Sequence, residues 1–247
     1  MRNINARRIV DSARARELHV AAEGRLLARA APVVGSAPRG LQRLGLDTRR
    51  DGLLYVPVDY EPSRPAPLVL MLHGAGGSAQ HGLHPFQGLA NRYGLILLAP
   101  DSRDSTWDVI LGEYGPDVRF IERALTQTLG RYAVDPERIA VGGFSDGASY
   151  ALSLGLINGD LFGFITAFSP GFMAPTRRQG LPRVYISHGT QDEVLPIDHC
   201  SRRIVPPLKR AGYDVRYHEF DGPHTVPAEI AREAADWFLL DTLPPSD

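Results

Sequence analysis

The stretch RIAVGGFSDGASYALSLGL (residues 138–156) joins an apolar run to a helix-like run through a serine that stands between glycines. Gly143, Ser145 and Gly147 occupy alternate positions at this junction and match the pattern G-x-S-x-G. In a strand–turn–helix junction the glycines avoid clashes across the turn, and the serine hydroxyl is held outward. The stretch therefore predicts a strand, a strained turn and a helix, with Ser145 as a candidate nucleophile. The alternative is an ordinary serine in a glycine-rich turn or helix cap.

The chain alternates apolar runs with helical patterns from about residue 52 onward. Strands are predicted at residues 52–58, 66–74, 95–102, 138–145, 162–170, 184–190 and 215–220, and helices at residues 84–94, 117–132, 146–159, 196–212 and 226–241. This alternation predicts an α/β fold, a mostly parallel sheet with helices on both faces. Pro206 and Pro207 are expected to break or kink the helix that contains them.

Composition excludes several classes of partner. The 247 residues include 27 Lys plus Arg and 28 Asp plus Glu, so the net charge of −1 gives no reason to expect nucleic acid or an acidic membrane as partner. Cys200 is the single cysteine, so no intrachain disulfide can form. The N-terminus lacks the continuous apolar core of a signal peptide, and no apolar run approaches the length of a membrane span. A cytoplasmic, soluble protein is expected, with the oligomeric state open.

Polar and glycine-rich loops follow the predicted strands, at the edge of a parallel sheet where ligands bind. After residues 66–74 comes the sequence His-Gly-Ala-Gly-Gly, which can turn a backbone N–H toward the serine. Ala75 is the candidate donor, and the N–H of Asp146 is the second, so that together they form an oxyanion hole. The alternative for the first loop is a glycine-rich turn without such a use.

A carboxylate and an imidazole follow two later strands. Asp192 comes just after the strand at residues 184–190, and His224 follows the strand at residues 215–220. The chain order Ser145, Asp192, His224 is the hydrolase order of nucleophile, acid and base. Serine needs an imidazole to take its proton, and the carboxylate orients that imidazole.

Two other aspartates lie near these loops. Asp198 is expected to lie in a helix, and Asp221 is too close in sequence to His224 to approach its ring from behind. Asp192 is therefore preferred as the acid.

With these motifs in place, the chain resembles the α/β-hydrolases, and among them the small serine esterases of the phospholipase/carboxylesterase group. Acyl-protein thioesterases and polyhydroxybutyrate-depolymerase-like or feruloyl-esterase-like proteins are relatives of that group. The resemblance rests on LHGAGGS (72–78), LAPDS (98–102), GGFSDGA (142–148), HGTQDEVLP (188–196) and GPHTVP (222–227) and covers about residues 52–241. It implies an α/β-hydrolase fold without a large cap domain, and the same roles for Ser145, Asp192 and His224. It likewise implies an oxyanion hole at Ala75 and Asp146.

One position departs from the family pattern. Thioesterase-like members usually carry glutamine where this chain has Asp146. The backbone role is unaffected, but a carboxylate beside the nucleophile would disfavour anionic substrates.

Other residues have less specific interpretations. Trp107 and Gly76 are candidates for lining the substrate pocket, because their loops should overhang the site, although Trp107 fits equally well as a packed loop residue. His73, His81 and His84 lack the accompanying carboxylates or cysteines of a zinc site, so no metal and no cofactor are expected. His188 is interpreted as a packing or hydrogen-bonding residue.

The expected function is hydrolysis of carboxylic esters, particularly short-chain or small soluble ones, through an acyl-enzyme on Ser145. The alternatives are a thioesterase, lysophospholipase or peptidase on the same scaffold, or a hydrolase-like binding protein without catalysis. The connection at residues 171–182 is too short and too rich in proline and glycine for a helical cap, so an open cleft is predicted.

The chain divides, on this interpretation, into an N-terminal extension, residues 1–50, and a catalytic domain, residues 51–247. The extension is expected to contain a short amphipathic helix near residues 7–18 and a linker at residues 31–40. Residues 1–40 are the segment that would most readily fold back over the cleft.

Overall fold

One sheet of eight strands forms the centre of the protein, in a computed structural model that describes residues 15–33 and 37–239. The strands are β1 (Gly40–Arg43), β2 (Gly52–Val56), β3 (Ala66–Leu72), β4 (Ile96–Pro100), β5 (Val134–Phe144), β6 (Phe164–Phe168), β7 (Arg183–Gly189) and β8 (Val215–Phe220). The helices are α1 (residues 15–22), α2 (Ala79–Gln87), α3 (Ala90–Tyr93), α4 (Asp108–Leu111), α5 (Pro116–Leu129), α6 (Asp146–Ile157), α7 (Ser201–Arg210) and α8 (Ala228–Leu239), with a 3₁₀ turn at Ile197–His199.

The strands lie in the order β1-β2-β4-β3-β5-β6-β7-β8. β1 pairs antiparallel with β2, and β2 pairs antiparallel with β4. The remaining neighbours are parallel, from β4 across to β8. The carboxyl ends of β3 to β8 therefore meet at one edge, which confirms the predicted mostly parallel sheet.

Both faces of the sheet are covered, as β3 illustrates. Leu68, Leu70 and Leu72 belong to the apolar cluster that contains α5 and α6. Val69 and Met71 point to the opposite face and join the cluster formed with α2 and α8. A strand buried on both faces requires apolar residues at every position, which explains the continuous apolar run in the sequence.

Helix α6 lies directly on the sheet, and all its residues from Gly147 to Ile157 are buried. A Cβ atom placed on Gly155 would come within 2.6 Å of the Ile165 side chain of β6, so glycine permits the close approach. The helix is therefore held against β5 and β6 along its length, and its first residue is fixed at the end of β5.

The region predicted as one helix at residues 84–94 contains two helices instead. α2 begins earlier, after Ser78, whose backbone N–H donates to His81 Nδ1 at 3.1 Å. Gly82 lies inside α2 because a Cβ there would be 2.9 Å from the Met71 carbonyl of β3. Local propensity does not reveal this start, since a glycine is unfavourable within a helix unless close packing requires it.

Helix α7 runs without a break through Pro206 and Pro207. Of the two expected effects of these prolines, the break is therefore wrong, and the kink stays a prediction. Each proline removes a backbone hydrogen bond. The helix nevertheless buries Ile204, Val205 and Leu208 against the sheet. Packing of the amphipathic face outweighs the two missing hydrogen bonds, because tertiary contacts supply most of a helix's stability.

The described residues among the first fifty, residues 15–33 and 37–50, contribute to the main sheet and core. β1 pairs with β2, and Leu26 is fully buried. Residues 7–14 of the predicted amphipathic helix and residues 34–36 of the predicted linker lie outside the described residues. The division into residues 1–50 and 51–247 stays a prediction.

Residues 24–26 attach to the C-terminal end of α6. The Arg25 guanidinium hydrogen-bonds Asp160, and the hydrogen bond from Arg25 lowers the pKa of Asp160 to about 2. Asn158 accepts from the Leu26 N–H at 2.8 Å and donates to the Gly24 carbonyl at 2.8 Å. Ser145 lies at the opposite end of the same helix, about 18 Å away for twelve residues, so this segment does not cover the serine.

The connection from β6 to β7, residues 169–182, contains no helix. No large cap domain therefore follows β6, in agreement with the sequence-based expectation. Within residues 15–33 and 37–239, no helix combines the length and apolarity needed to cross a membrane.

Asn158→Ala is expected to lower the free energy of unfolding by about 3 kcal/mol, because it leaves the buried N–H of Leu26 and carbonyl of Gly24 without partners. Urea unfolding measures the change. Asn91→Ala is the matched control, since the Asn91 side chain accepts two hydrogen bonds at the exposed surface. Its cost should be below about 1 kcal/mol. Equal losses in the two variants would contradict the anchoring role of Asn158.

Candidate active site

Ser145 occupies a strained turn between β5 and α6. Its backbone has φ 58° and ψ −121°, a conformation that side-chain-bearing residues rarely adopt. A Cβ on Gly143 would lie 2.4 Å from the carbonyl carbon of Gly147, and a Cβ on Gly147 would lie 2.1 Å from the Leu72 oxygen. Only glycine fits at either position, so the spacing in the sequence follows directly from how closely the backbone crosses here.

The glycine-rich loop after β3 lies beside this turn. A Cβ on Gly74 would be 3.3 Å from the Ser145 Cβ, which shows how near the two segments come. Among the described residues, no hydrogen bond from the N–H of Ala75 or of Asp146 is found. The N–H of Gly76, in contrast, donates to the Ser105 carbonyl at 2.7 Å. Two free backbone donors beside the serine, one at the positive end of α6, are the arrangement that an oxyanion requires.

His73 and Trp107 fix this loop from behind. His73 Nε2 accepts from the Ser102 N–H at 3.0 Å, so its proton resides on Nδ1, which donates to the Gly74 carbonyl at 2.7 Å. Burial lowers the pKa of His73, and the ring is therefore neutral. The Trp107 indole N–H donates to the His73 carbonyl at 2.8 Å, and its ring stacks on Tyr150 of α6.

Of the two interpretations of Trp107, the packed loop residue is the one that the structure shows, because its side chain is fully buried. The interpretation of Trp107 as a residue that lines the substrate pocket is wrong. Its indole is amphipathic, and the hydrogen bond to a backbone carbonyl satisfies the ring N–H inside the protein. Trp107 therefore supports the loop and has no free surface to offer a substrate. Gly76, the other candidate for the pocket, is exposed with φ 66°.

Asp146, the residue after the serine, is tied to the loop that follows β4. Its carboxylate accepts a hydrogen bond of 2.6 Å from the Thr106 hydroxyl. Sequence reasoning missed this contact, because Thr106 belongs to no motif. The hydrogen bond links the serine turn to the segment that also carries Ser105 and Trp107.

Two buried carboxylates hold the same segment together. Asp117 accepts from the N–H groups of Arg103 and Asp108, and Asp108 in turn accepts from those of Gly115 and Asp117. Burial, followed by the neighbouring Asp108, raises the pKa of Asp117 to about 7. The side chains replace the hydrogen bonds that regular secondary structure would have provided, because backbone polar groups inside a protein need partners.

Asp192 lies beyond the end of β7, and its carboxylate is wholly buried. Oδ1 accepts from the N–H groups of Val194 at 3.0 Å and Leu195 at 2.8 Å. Burial alone would raise the pKa of Asp192, but the hydrogen bond from Leu195 and the contact with His224 leave it below its ordinary value. The group is therefore an ionised carboxylate with a fixed orientation.

His224, in the loop after β8, approaches the other oxygen of this carboxylate. Its Nδ1 is 2.6 Å from Asp192 Oδ2, and its side chain is 14% exposed. Phe144, which precedes the serine, packs against the imidazole with ring centroids 4.5 Å apart. The described contacts do not include a hydrogen bond between the Ser145 hydroxyl and His224. The Asp192–His224 pair and Ser145 thus lie at the same edge of the sheet, where the parallel strands end.

The two other aspartates point elsewhere. Asp198 lies in the 3₁₀ turn and pairs with Arg202 at 2.8 Å. Asp221 accepts from the Gln191 side chain at 2.6 Å. Of the three candidates for the acid, Asp192 is the one that contacts His224.

A small pocket opens between His224 and helix α2. It has a volume of about 210 Å³ and is lined by His81, His84, Pro85, Phe144, His224, Thr225 and Val226. Sequence reasoning considered the two α2 histidines only as metal ligands. Among the described residues, no cluster of three or more His, Cys, Asp or Glu side chains is arranged to hold a metal ion.

The chain is similar in sequence and in fold to known esterases. Residues 118–237 match the phospholipase/carboxylesterase family. Feruloyl esterase C of Emericella nidulans is 28% identical over 68% of this chain and 64% of its own length, and acyl-protein thioesterase 1 of Gibberella zeae is 30% identical over 45% and 51%. The chain thus spans less than two thirds of these relatives.

A solved thermophilic esterase of Thermogutta terrifontis shares the fold, with a TM-score of 0.65 and 20% identity over 84% of this chain and 94% of the esterase. The chain therefore has an α/β-hydrolase fold, and its residues 118–237 are similar to the phospholipase/carboxylesterase family.

Proposed function

We propose that the protein is a serine hydrolase that cleaves carboxylic esters through an acyl-enzyme on Ser145. The observation that carries this proposal is the contact of 2.6 Å between His224 and the buried Asp192 carboxylate, at the sheet edge where the strained serine turn also lies. A neutral imidazole held by a carboxylate is what a serine hydroxyl needs in order to become nucleophilic.

The proposed reaction begins with transfer of the Ser145 proton to His224 Nε2 as the serine oxygen attacks the ester carbonyl. The N–H groups of Ala75 and Asp146 stabilise the negative charge that develops on the carbonyl oxygen. His224 then gives its proton to the leaving alcohol, and the acyl group remains on the serine. Water, activated by the same imidazole, releases the acid and restores the hydroxyl.

The similarity to feruloyl esterase C supports a carboxylic ester as substrate, and the Asp146 carboxylate favours neutral over anionic acyl groups. The similarity to an acyl-protein thioesterase keeps a thioester as the second candidate. Activity on matched oxygen esters and thioesters distinguishes the two. A cytoplasmic location and a small soluble substrate remain sequence-based predictions.

Ser145→Ala is expected to lower kcat for ester hydrolysis by about 10⁴- to 10⁶-fold, because it removes the nucleophile and leaves the turn in place. Hydrolysis of a chromogenic ester by the purified variant measures the effect. Ser63→Ala, at an exposed turn before β3, is the control and should retain full activity. Retention of more than about a tenth of the wild-type rate would rule out Ser145 as nucleophile.

Asp192→Asn should lower kcat by about 10⁴-fold, since the amide cannot orient and stabilise the protonated imidazole as a carboxylate does. Asp198→Asn and Asp221→Asn change the same group in the neighbouring loops and serve as matched controls. Each should cost less than about tenfold, because these side chains contact Arg202 and Gln191 instead of His224. A larger loss in either control would identify a different acid.

The short connection after β6, which contains no helix, predicts highest kcat/KM on soluble short-chain esters. Each methylene contributes only about 0.8 kcal/mol when buried, and a cleft without a cap buries few of them. Esters of increasing acyl length, assayed below and above their solubility limits and with a chelator, test this. An optimum at long chains, or a sharp rise when an emulsion forms, would contradict the open cleft.

A further inference from the structure

His188 lies directly behind the Asp192 carboxylate. It is near the end of β7 and fully buried. Its Nδ1 is 2.7 Å from the Ser201 hydroxyl at the start of α7. Its Nε2 is 2.7 Å from the Leu195 carbonyl and 3.2 Å from Asp192 Oδ2. The carboxylate is therefore enclosed between two imidazoles, His188 behind and His224 in front.

The neighbours of His188 determine its protonation. A carbonyl and a carboxylate can only accept hydrogen bonds, so Nε2 carries a proton and donates it toward them. The Ser201 hydroxyl then donates to Nδ1, which has no proton. Burial lowers the pKa of His188, so the ring is neutral. The His188 ring thus has one N–H, at Nε2, which points toward Leu195 and Asp192.

This N–H acts on both oxygens of the carboxylate. It faces Oδ2 itself, the oxygen that contacts His224. It also holds the carbonyl of Leu195, whose own N–H donates to Oδ1. Without the His188 donor, the Leu195 carbonyl in the turn at residues 193–195 would lose this hydrogen bond. Asp192 Oδ2 would then keep only its contact with His224.

We propose that His188 is a positioning residue, which fixes the Asp192 carboxylate in the orientation that His224 requires. The expected effect of His188 on catalysis rests on the proposed function. The effect of His188 on the Asp192–His224 pair does not depend on the substrate. Glu219, the partner of His188 on β8, is a further charged group near the ring. Glu219 is paired with Arg202 of α7.

Two variants separate the two nitrogens of the ring. His188→Asn places an amide near the position of Nδ1, where it can still contact Ser201, but offers no donor toward Asp192. His188→Gln is longer, and its amide nitrogen reaches the position of Nε2. Both variants remove the same ring, so a loss of packing alone affects them alike. His199→Asn, in the exposed 3₁₀ turn, is the control for a histidine change nearby.

Two readouts are measured for each protein: the pH profile of kcat/KM on a soluble ester, and the NMR titration of the His224 ring. In His188→Asn the carboxylate has one donor fewer and attracts the proton of His224 more strongly. The titration midpoint and the acid limb of the profile should therefore move to higher pH, and kcat should fall by about 10- to 100-fold because the base is misplaced. His188→Gln should restore the midpoint and most of kcat.

An unchanged His224 titration in His188→Asn, or equal shifts in the Asn and Gln variants, would overturn the proposal, because a packing role predicts no difference between them. Thermal unfolding of each variant checks that both remain folded at the assay temperature. Labelling of Ser145 by a phosphonate probe tests the proposed function separately. If the wild-type protein is neither labelled nor active, that function fails, while the NMR titration still decides the role of His188.

Discussion

The close crossing of backbone at Gly147 is the constraint on which the site depends. The first turn of α6 lies so near the end of β3 that a single methyl group would collide with the Leu72 carbonyl. This contact sets the entry of α6, and the entry of α6 forces Ser145 into a positive φ. Strain of this kind persists only where the surrounding structure fixes it. Here helix α6, which is buried from Gly147 onward, holds the turn at Ser145 in place.

Near the strained turn, side chains provide hydrogen bonds to the backbone that regular secondary structure provides elsewhere. The segment between β4 and α5 contains only the single turn α4, yet its backbone is satisfied by the Asp108 and Asp117 carboxylates and its tryptophan is buried against α6. Thr106 connects it to Asp146, and Ser105 connects it to the loop after β3. The proposed oxyanion donors are thus held by a rigid polar network, as electrostatic stabilisation of a transition state requires.

The acid and base sides of the site follow from the pairing of β7 with β8. A Cβ on Gly189 would lie 2.3 Å from the Gly222 carbonyl, so the two loops leave the sheet in contact. This brings residues 32 positions apart, Asp192 and His224, within hydrogen-bond distance. The Asp192 carboxylate contacts the buried His188 on one side and His224 on the other. Its environment keeps it ionised and immobile, which are the two properties that an orienting acid needs.

The amino-acid sequence by itself determined the parallel sheet, the junction at Ser145 and the order of the polar loops. Apolar periodicity shows which side chains of a segment face the core, and the G-x-S-x-G spacing marks the turn between strand and helix. Both patterns can be recognised within a single segment of the chain. Only the tertiary structure decided that Asp192 contacts His224, that His188 lies behind it and that Trp107 is buried. It also decided that β1 joins the sheet and that α7 passes through two prolines. These outcomes depend on contacts between segments distant in sequence, whose packing energy exceeds the local preferences of each segment.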